Sequence, residues 1–273
     1  MIIADYHVHS NFSSDSTAPM EDMIDKALAL GLKKLCFTDH MDIDYPVVQN
    51  GYTFTFSLEE YIQKLLDLKE LYLSKIELMI GVELGLQPHL KDQLNAFAKS
   101  YPFDFIIGST HVVDHIDPYF PEYWTNRSER QGILDYFQSI IDNCSIFNDF
   151  HVYGHLDYII RYIPGQGDIK HTYAYTDYSD ILNEVLKTIL SKGKGIEVNT
   201  SGFKYGLNHT HPKVEILKRY LELGGELITI GSDAHKPEHL CYDFQKAAEL
   251  LTSLGYRYYA TFTQGKPTME KLV

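Results

Sequence analysis

Short runs rich in β-branched and aromatic residues alternate with longer amphipathic stretches along the whole chain, and this alternation restricts the fold more than any other feature. The predicted strands are 2–7, 34–38, 78–83, 105–109, 152–155, 195–199 and 227–232. Between and after them lie predicted helices at 20–30, 58–73, 90–99, 133–146, 178–190, 214–223 and 244–254. Leu223-Gly224-Gly225 punctuates a helix end, and Ser57 stands as an N-cap before Leu58. Strands that each return through a helix pair in parallel, so the chain is α/β with a sheet that is either open or closed into a barrel. No Pro/Gly/Ser-rich linker, internal repeat or low-complexity tract divides it, and a single domain over residues 1–273 is expected. Residues 256–262 could add an eighth strand or an edge. Two long connections, 41–56 and 112–129, are rich in Tyr, Phe and Pro; loops of that length in a compact domain usually serve a function.

Lys and Arg number 24 against 37 Asp and Glu, a formal charge of −13, and the basic residues form no cluster larger than Lys33-Lys34. Duplex nucleic acid is excluded as an expected partner, because its affinity comes from cations neutralising phosphates. Cys36, Cys144 and Cys241 are odd in number and widely spaced, which fits buried thiols in a reducing compartment. No apolar run approaches the roughly 18 residues of a membrane span, and the start of the chain lacks a signal-peptide layout. A cytoplasmic protein without a membrane partner is expected, and the sequence is compatible with a homo-oligomer.

Histidine stands out, with 13 residues, several of them at the ends of predicted strands. The C-terminal ends of parallel strands form the catalytic face of such folds. There the sequence offers His7 and His9, His40, Glu83, His111, His155, Asn199, then Asp233 and His235, with Asp15 in the loop after the first strand. His7 and His9 are two apart, so on a strand both rings leave the same face with Cα atoms about 6.6 Å apart. A lone histidine at any of these positions is best read as a satisfied core or rim residue. Repetition at the same end of every strand is not explained that way. Six histidines (7, 9, 40, 111, 155, 235) and three carboxylates (Asp15, Glu83, Asp233) make nine candidate ligands, which at about three per ion point to three ions. Imidazole and carboxylate without thiolate suit Zn, Mn or Fe. Such ions would also make the site locally positive in a chain of charge −13.

The segments DYHVHS, FTDH, GVELG, GSTHVV, GHLDYIIRY, EVNTSG and TIGSDAH together resemble the polymerase and histidinol phosphatase (PHP) superfamily of metal-dependent phosphoesterases, in its L-histidinol-phosphate phosphatase branch. The similarity runs from residue 5 to about 240. It implies a distorted (β/α)7 barrel with a trinuclear metal centre on its C-terminal face. Carried onto this chain, it puts one ion on His7, His9, Glu83 and Asp233, a second on Asp15, His40 and His235, and a third on Glu83, His111 and His155. The implied reaction is hydrolysis of L-histidinol phosphate to L-histidinol and phosphate, in histidine biosynthesis. Relatives that act on nucleotides or oligonucleotides share the ligands and are the alternative; a non-catalytic module stabilised by metal is the other.

For a small phosphate monoester, Arg161 is expected to hold the equatorial phosphate oxygens. Asp233, His235 and His115 are the candidates for protonating the leaving alkoxide. Glu197, Asn199 and Phe203, with Tyr205 and the connection around Trp124, are expected to take the amine and imidazole of the substrate. His209 and His211 fall on a loop before Pro212, outside the pattern, and read as solvated.

Overall fold

The computed structural model describes residues 2–46, 53–164 and 173–272. Seven strands run parallel in chain order around the sheet: β1 (Ala4–Val8), β2 (Lys34–Phe37), β4 (Glu77–Gly85), β5 (Phe105–Ser109), β6 (Val152–Tyr153), β7 (Gly195–Asn199) and β8 (Ile228–Gly231). The two-residue β3 (His40–Met41) pairs with the end of β4, His40 opposite Glu83. First and last strands approach closely: Asp233 N–H donates to His7 O at 2.9 Å and His9 N–H to Ala234 O at 2.9 Å. The sheet is thus nearly closed, the distorted (β/α)7 barrel that the resemblance implies.

Helices α1 (Met20–Ala29), α2 (Leu58–Tyr72), α3 (Lys91–Ser100), α5 (Glu129–Ile146), α6 (Ser179–Ser191), α8 (Val214–Glu222) and α9 (Phe244–Leu254) follow the predicted pattern. Their apolar faces join the outward-facing strand residues, such as Leu35, Ile80, Ile196 and Val198, in the main core. Helix α5 starts four residues before its expected beginning, because Ser128 caps it by accepting from Gln131 N–H at 3.2 Å. Two short helices, α4 (Pro121–Trp124) and α7 (Ser201–Lys204), sit in connections.

A smaller core fills the barrel: Ala4, Tyr6, Cys36, Met79, Phe105, Ile107 and Val152 from the strands, with Ala260 and Phe262 from below. The latter two belong to β9 (Tyr258–Thr263), which pairs antiparallel with β10 (Lys266–Lys271) and with none of the seven parallel strands. Tyr6 OH donates to Phe262 O at 2.8 Å and accepts from Phe262 N–H at 2.9 Å. The 256–262 segment therefore neither extends the sheet nor edges it; its hairpin plugs the end of the barrel away from the histidines.

One register shift in β1 matters for the site. Between Asp5 and Val8 the strand gains a residue over β2. A bulge of this kind breaks strict alternation. Tyr6 can then fill the barrel while Val8 packs in the outer core and His7 and His9 reach the polar centre. Cys36 and Cys144 are buried free thiols and Cys241 is half-buried. Among the described residues no helix is long and apolar enough to cross a membrane. The middle of the 41–56 connection lies outside the described residues.

Candidate metal centre and cleft

Glu83 is the hub. Its Oε1 lies 3.2 Å from His111 Nε2 and 2.8 Å from His155 Nε2, and accepts from Ser109 OH at 2.7 Å. Its Oε2 faces the other way, 3.1 Å from His7 Nε2, 3.6 Å from His9 Nε2 and 3.1 Å from His40 Nδ1. Asp233 Oδ1 stands 3.4 Å from His9 Nε2 and 3.9 Å from His7 Nε2. At the rim, Asp15 Oδ2 is 3.1 Å from His235 Nε2 and 3.8 Å from His40 Nε2. All nine predicted ligands are thus brought together, and a carboxylate with oxygens facing two groups of imidazoles has the disposition of a bridge.

The far side of several rings is fixed by a partner. His7 Nδ1–H donates to Glu197 Oε1 at 2.6 Å, which leaves the Nε2 lone pair pointing inward. His9 Nδ1–H donates to Ser13 Oγ at 3.1 Å; that hydroxyl in turn donates to the buried Asp39 at 2.7 Å and accepts from His40 N–H at 3.1 Å. His111 Nδ1–H donates to Asp42 Oδ1 at 2.6 Å. Holding the outer nitrogen as donor selects the tautomer and orientation that a metal needs from the inner one. Gly231 permits the approach of β1 to β8, since a Cβ there would collide with His7 Cβ and Glu197 Oε1.

The inner atoms are left without partners of their own. Among the described residues, His7 Nε2, His9 Nε2, His40 Nδ1, Glu83 Oε2 and His235 Nε2 are buried with no hydrogen bond. The facing nitrogens His111 Nε2 and His155 Nε2 are 3.4 Å apart, and the ring centroids of His9 and His235 are 4.0 Å apart. Unsatisfied buried polar atoms are costly unless something draws on their lone pairs. Ligand atoms cluster within 4.8 Å in the sets His7/His9/Asp233, His9/His40/His235, His7/Glu83/His155 and His40/Glu83/His111. The donor set fits divalent transition ions.

Above this floor opens a cleft of 430 Å³. Its lining carries the cations Arg161, Lys204 and Lys236 together with Asp117, Tyr45, Phe54, Tyr158 and Tyr162. Asp117 is buried and accepts from Tyr45 OH at 2.6 Å and from Tyr119 N–H at 2.7 Å. Arg161 is clasped from several sides. Its Nε–H donates to His211 Nε2 at 2.9 Å, its Nη2 to Ser201 Oγ, and its guanidinium lies 3.6 Å from Asp233 Oδ2 and 4.4 Å from the Tyr205 ring centre. Asp233 itself has φ 54°, a left-handed backbone of the kind that collects at functional sites.

Several expectations need correction. Glu197 and Asn199 do face the barrel interior, but neither lines the cleft. Glu197 gives Oε1 to His7 and Oε2 to the His155 N–H at 2.8 Å, and Asn199 is buried against Glu197 and Ser201, so neither has room for a substrate amine. Phe203 is buried with Lys246 3.9 Å over its ring and lies off the cleft, whereas Tyr205 lines it. Trp124 donates to Pro118 O at 2.9 Å and lines a separate hollow. His115 is exposed beside His89, away from the cleft. His211 is not solvated: it is fully buried, with Nδ1 2.5 Å from Asp157 Oδ1. Burial and the adjacent Arg161 push its pKa down to about 4, so the ring is neutral, donating from Nδ1 to Asp157 and accepting from Arg161 at Nε2.

The functional residues that sequence reasoning missed are Asp42, Asp39, Asp157, His211, Asp117 and Tyr45. Asp39 and Asp42 flank His40, and Asp157 follows His155 by two, so a search for carboxylates next to the ligand histidines would have found three of them. Asp117 and Tyr45 meet across 72 residues; the sequence marked the two connections that carry them but not the pair itself.

The PHP domain family matches residues 5–201. A histidinol-phosphatase of Lactococcus lactis is 34% identical over 98% of this chain and 97% of its own. A probable histidinol-phosphatase of Clostridium acetobutylicum is 31% identical over 91% of this chain and 92% of its own. The crystal structure of histidinol phosphate phosphatase from Lactococcus lactis, complexed with zinc, L-histidinol and phosphate, is similar with a TM-score of 0.87 and 32% identity, covering 97% of this chain and 98% of that one.

Proposed function

The chain belongs to the PHP domain family, and on that footing we propose that it is a metal-dependent phosphatase that hydrolyses L-histidinol phosphate to L-histidinol and phosphate. The observation that carries this reading is a floor of orphaned ligand atoms beneath a cleft whose lining combines cations with a buried carboxylate and aromatic rings. A small ester with a phosphate at one end and a cationic amine and imidazole at the other uses both kinds of lining group.

In this reading His7, His9, Glu83 and Asp233 hold one divalent ion, Asp15, His40 and His235 a second, and Glu83, His111 and His155 a third; zinc, manganese or iron suits the donors. Ions bound there supply Lewis acidity, polarising a phosphoryl oxygen and making water acidic enough to attack at neutral pH. The chain's own groups do the rest. Arg161 takes the phosphate oxygens that project into the cleft and absorbs charge as the transition state develops. Asp233 is ionised when it holds an ion, so it can give a proton only after taking one: its Oδ2, which faces Arg161, is placed to relay the proton released by the attacking water to the departing alkoxide oxygen, with His235 beside it. Asp117 accepts from the substrate's cationic end while Tyr158 and Tyr162 flank its ring.

Kinetics with L-histidinol phosphate, nucleoside monophosphates and p-nitrophenyl phosphate, with metal content measured on the same preparation, test the proposal. An amine held by a buried carboxylate is worth about 1.5–3 kcal/mol, so L-histidinol phosphate should lead in kcat/KM by roughly 10- to 150-fold. Nucleotides hydrolysed as efficiently would contradict the substrate, and no phosphate release from the metal-replete protein would contradict the reaction.

A further inference from the structure

Outside the cleft, three more ligand-type side chains converge that the phosphatase reading leaves unused. We propose that Asp44, His89 and His115 form a further, surface site for a borderline divalent ion such as Zn²⁺, Co²⁺ or Ni²⁺, separate from the central cluster. One carboxylate oxygen and one nitrogen from each ring lie within 4.8 Å of one another, and all three residues are exposed. His89 Nε2 is 2.8 Å from Asp44 Oδ2, and the His89 and His115 ring centroids are 4.8 Å apart.

An ion pair accounts for the first of these contacts but not for the second. The Asp44–His89 hydrogen bond does not involve His115, whose ring faces that of His89. A shared cation instead draws a lone pair from each ring and from the carboxylate. Two imidazoles and one carboxylate select borderline first-row ions over Mg²⁺ and Ca²⁺, which prefer oxygen donors. Three protein ligands on the surface leave the remaining positions to water, for which the adjoining 430 Å³ hollow along Gln87, His89 and His115 has room.

The backbone holds these ligands without help from an ion. His115 sits in a tight turn closed by Val113 N–H to Ile116 O at 2.9 Å and Ile116 N–H to Val113 O at 3.0 Å, with φ 51° at Asp114 and 63° at His115. Two successive positive φ values are what a two-residue hairpin turn requires. The Gln87 carboxamide donates to Ile43 O at 3.0 Å and Asp44 O at 3.4 Å, which fastens the segment bearing Asp44 to the one bearing His89. Ligands arranged beforehand lose little entropy on binding.

The three segments also share an origin: Asp44 follows His40 by four residues, His115 follows His111 by four, and His89 follows Glu83 by six. A cation here ties together the connections that leave three central ligands, and so braces one rim of the cleft. Because the ion binds the folded chain alone, its occupancy adds to stability in proportion to the logarithm of its concentration.

The holoenzyme, central ions left in place, is dialysed against Co²⁺ beside the variants His115→Asn and Asp44→Asn, and bound ions are counted; asparagine tolerates the positive φ at both exposed positions, so the fold is retained. Wild type should hold one equivalent more than either variant, and added Co²⁺ should raise its Tm but not theirs. Equal ion counts in all three proteins with free Co²⁺ at about 1 mM, where an ion would be bound too weakly to count as a site, would overturn the proposal.

Discussion

Replacing His211 tests whether a residue that never faces the cleft governs the phosphate-binding cation. Its neutral ring spans two charged groups, accepting from Arg161 Nε–H at 2.9 Å and bonded to Asp157 at 2.5 Å. Asparagine is too short to span both, so His211→Asn releases one hold on Arg161 while Ser201 and the Tyr158 and Tyr205 rings keep theirs. Losing one hydrogen bond costs about 1–1.5 kcal/mol, which sets the expected fall in kcat/KM at roughly tenfold. Arg161→Ala removes the charge itself and should cost about 1.5–3 kcal/mol, roughly 10- to 150-fold. If His211 acts through Arg161, the double variant is no slower than Arg161→Ala alone. Asp157 keeps Tyr173 OH at 3.0 Å and Lys213 N–H at 2.9 Å, so destabilisation should stay near 1–3 kcal/mol, or about 2–4 °C in Tm per kcal/mol. Steady-state kinetics of the four proteins, with thermal melts, form the assay. Losses that multiply in the double variant, or wild-type kinetics for His211→Asn, would refute the reasoning.

Three other outcomes follow from particular contacts. Glu197→Gln keeps shape but weakens the hold on His7 Nδ1, so hydrolysis of L-histidinol phosphate and of p-nitrophenyl phosphate should fall by the same factor; a loss confined to the former would make Glu197 a substrate ligand after all. Asp42→Asn loosens His111, and metal affinity measured by competition with a chelator should drop about 10- to 100-fold. His151 is half-buried, and its lost hydration together with the nearby Lys194 lowers its pKa from 6.5 to about 4. Its folded-state pKa being depressed, the stabilising contribution is full above pH 6.5 and is lost as pH falls toward 4, by about 3 kcal/mol. Urea melts at about pH 7 and about pH 4 should show that much less acid loss in His151→Gln, which can still accept from Ile106 N–H.

The sheet and the gathering of the nine candidate ligands at one end of it were legible because both are written in local pattern: strand, turn, helix, with a polar residue at each strand's C-terminal end. What surrounds them was not, for reasons that differ from residue to residue. His211 stands in a loop before a proline, and only the closure of β7 against that loop, with Asn199 and His211 exchanging backbone hydrogen bonds, buries it. Glu197 sits on the expected face, yet sequence does not say how many neighbours compete for a carboxylate; the His7 ring N–H, the His155 backbone N–H and the Asn199 amide take both of its oxygens. The 256–262 run has strand composition, but its partner is the barrel floor and β10, a choice set by which apolar end needed covering. The extra residue in β1 is likewise invisible to an alternation rule, because a bulge changes which face a side chain takes without changing residue type.

The central claim is that Glu83 joins the ion sites at the floor of the cleft. Metal analysis of wild type and Glu83→Ala, purified side by side with circular dichroism as a check on folding, addresses it most directly. The variant should keep the wild-type spectrum, hold more than one ion fewer per chain and lose activity by orders of magnitude. A folded Glu83→Ala protein with the wild-type ion content would contradict the shared site.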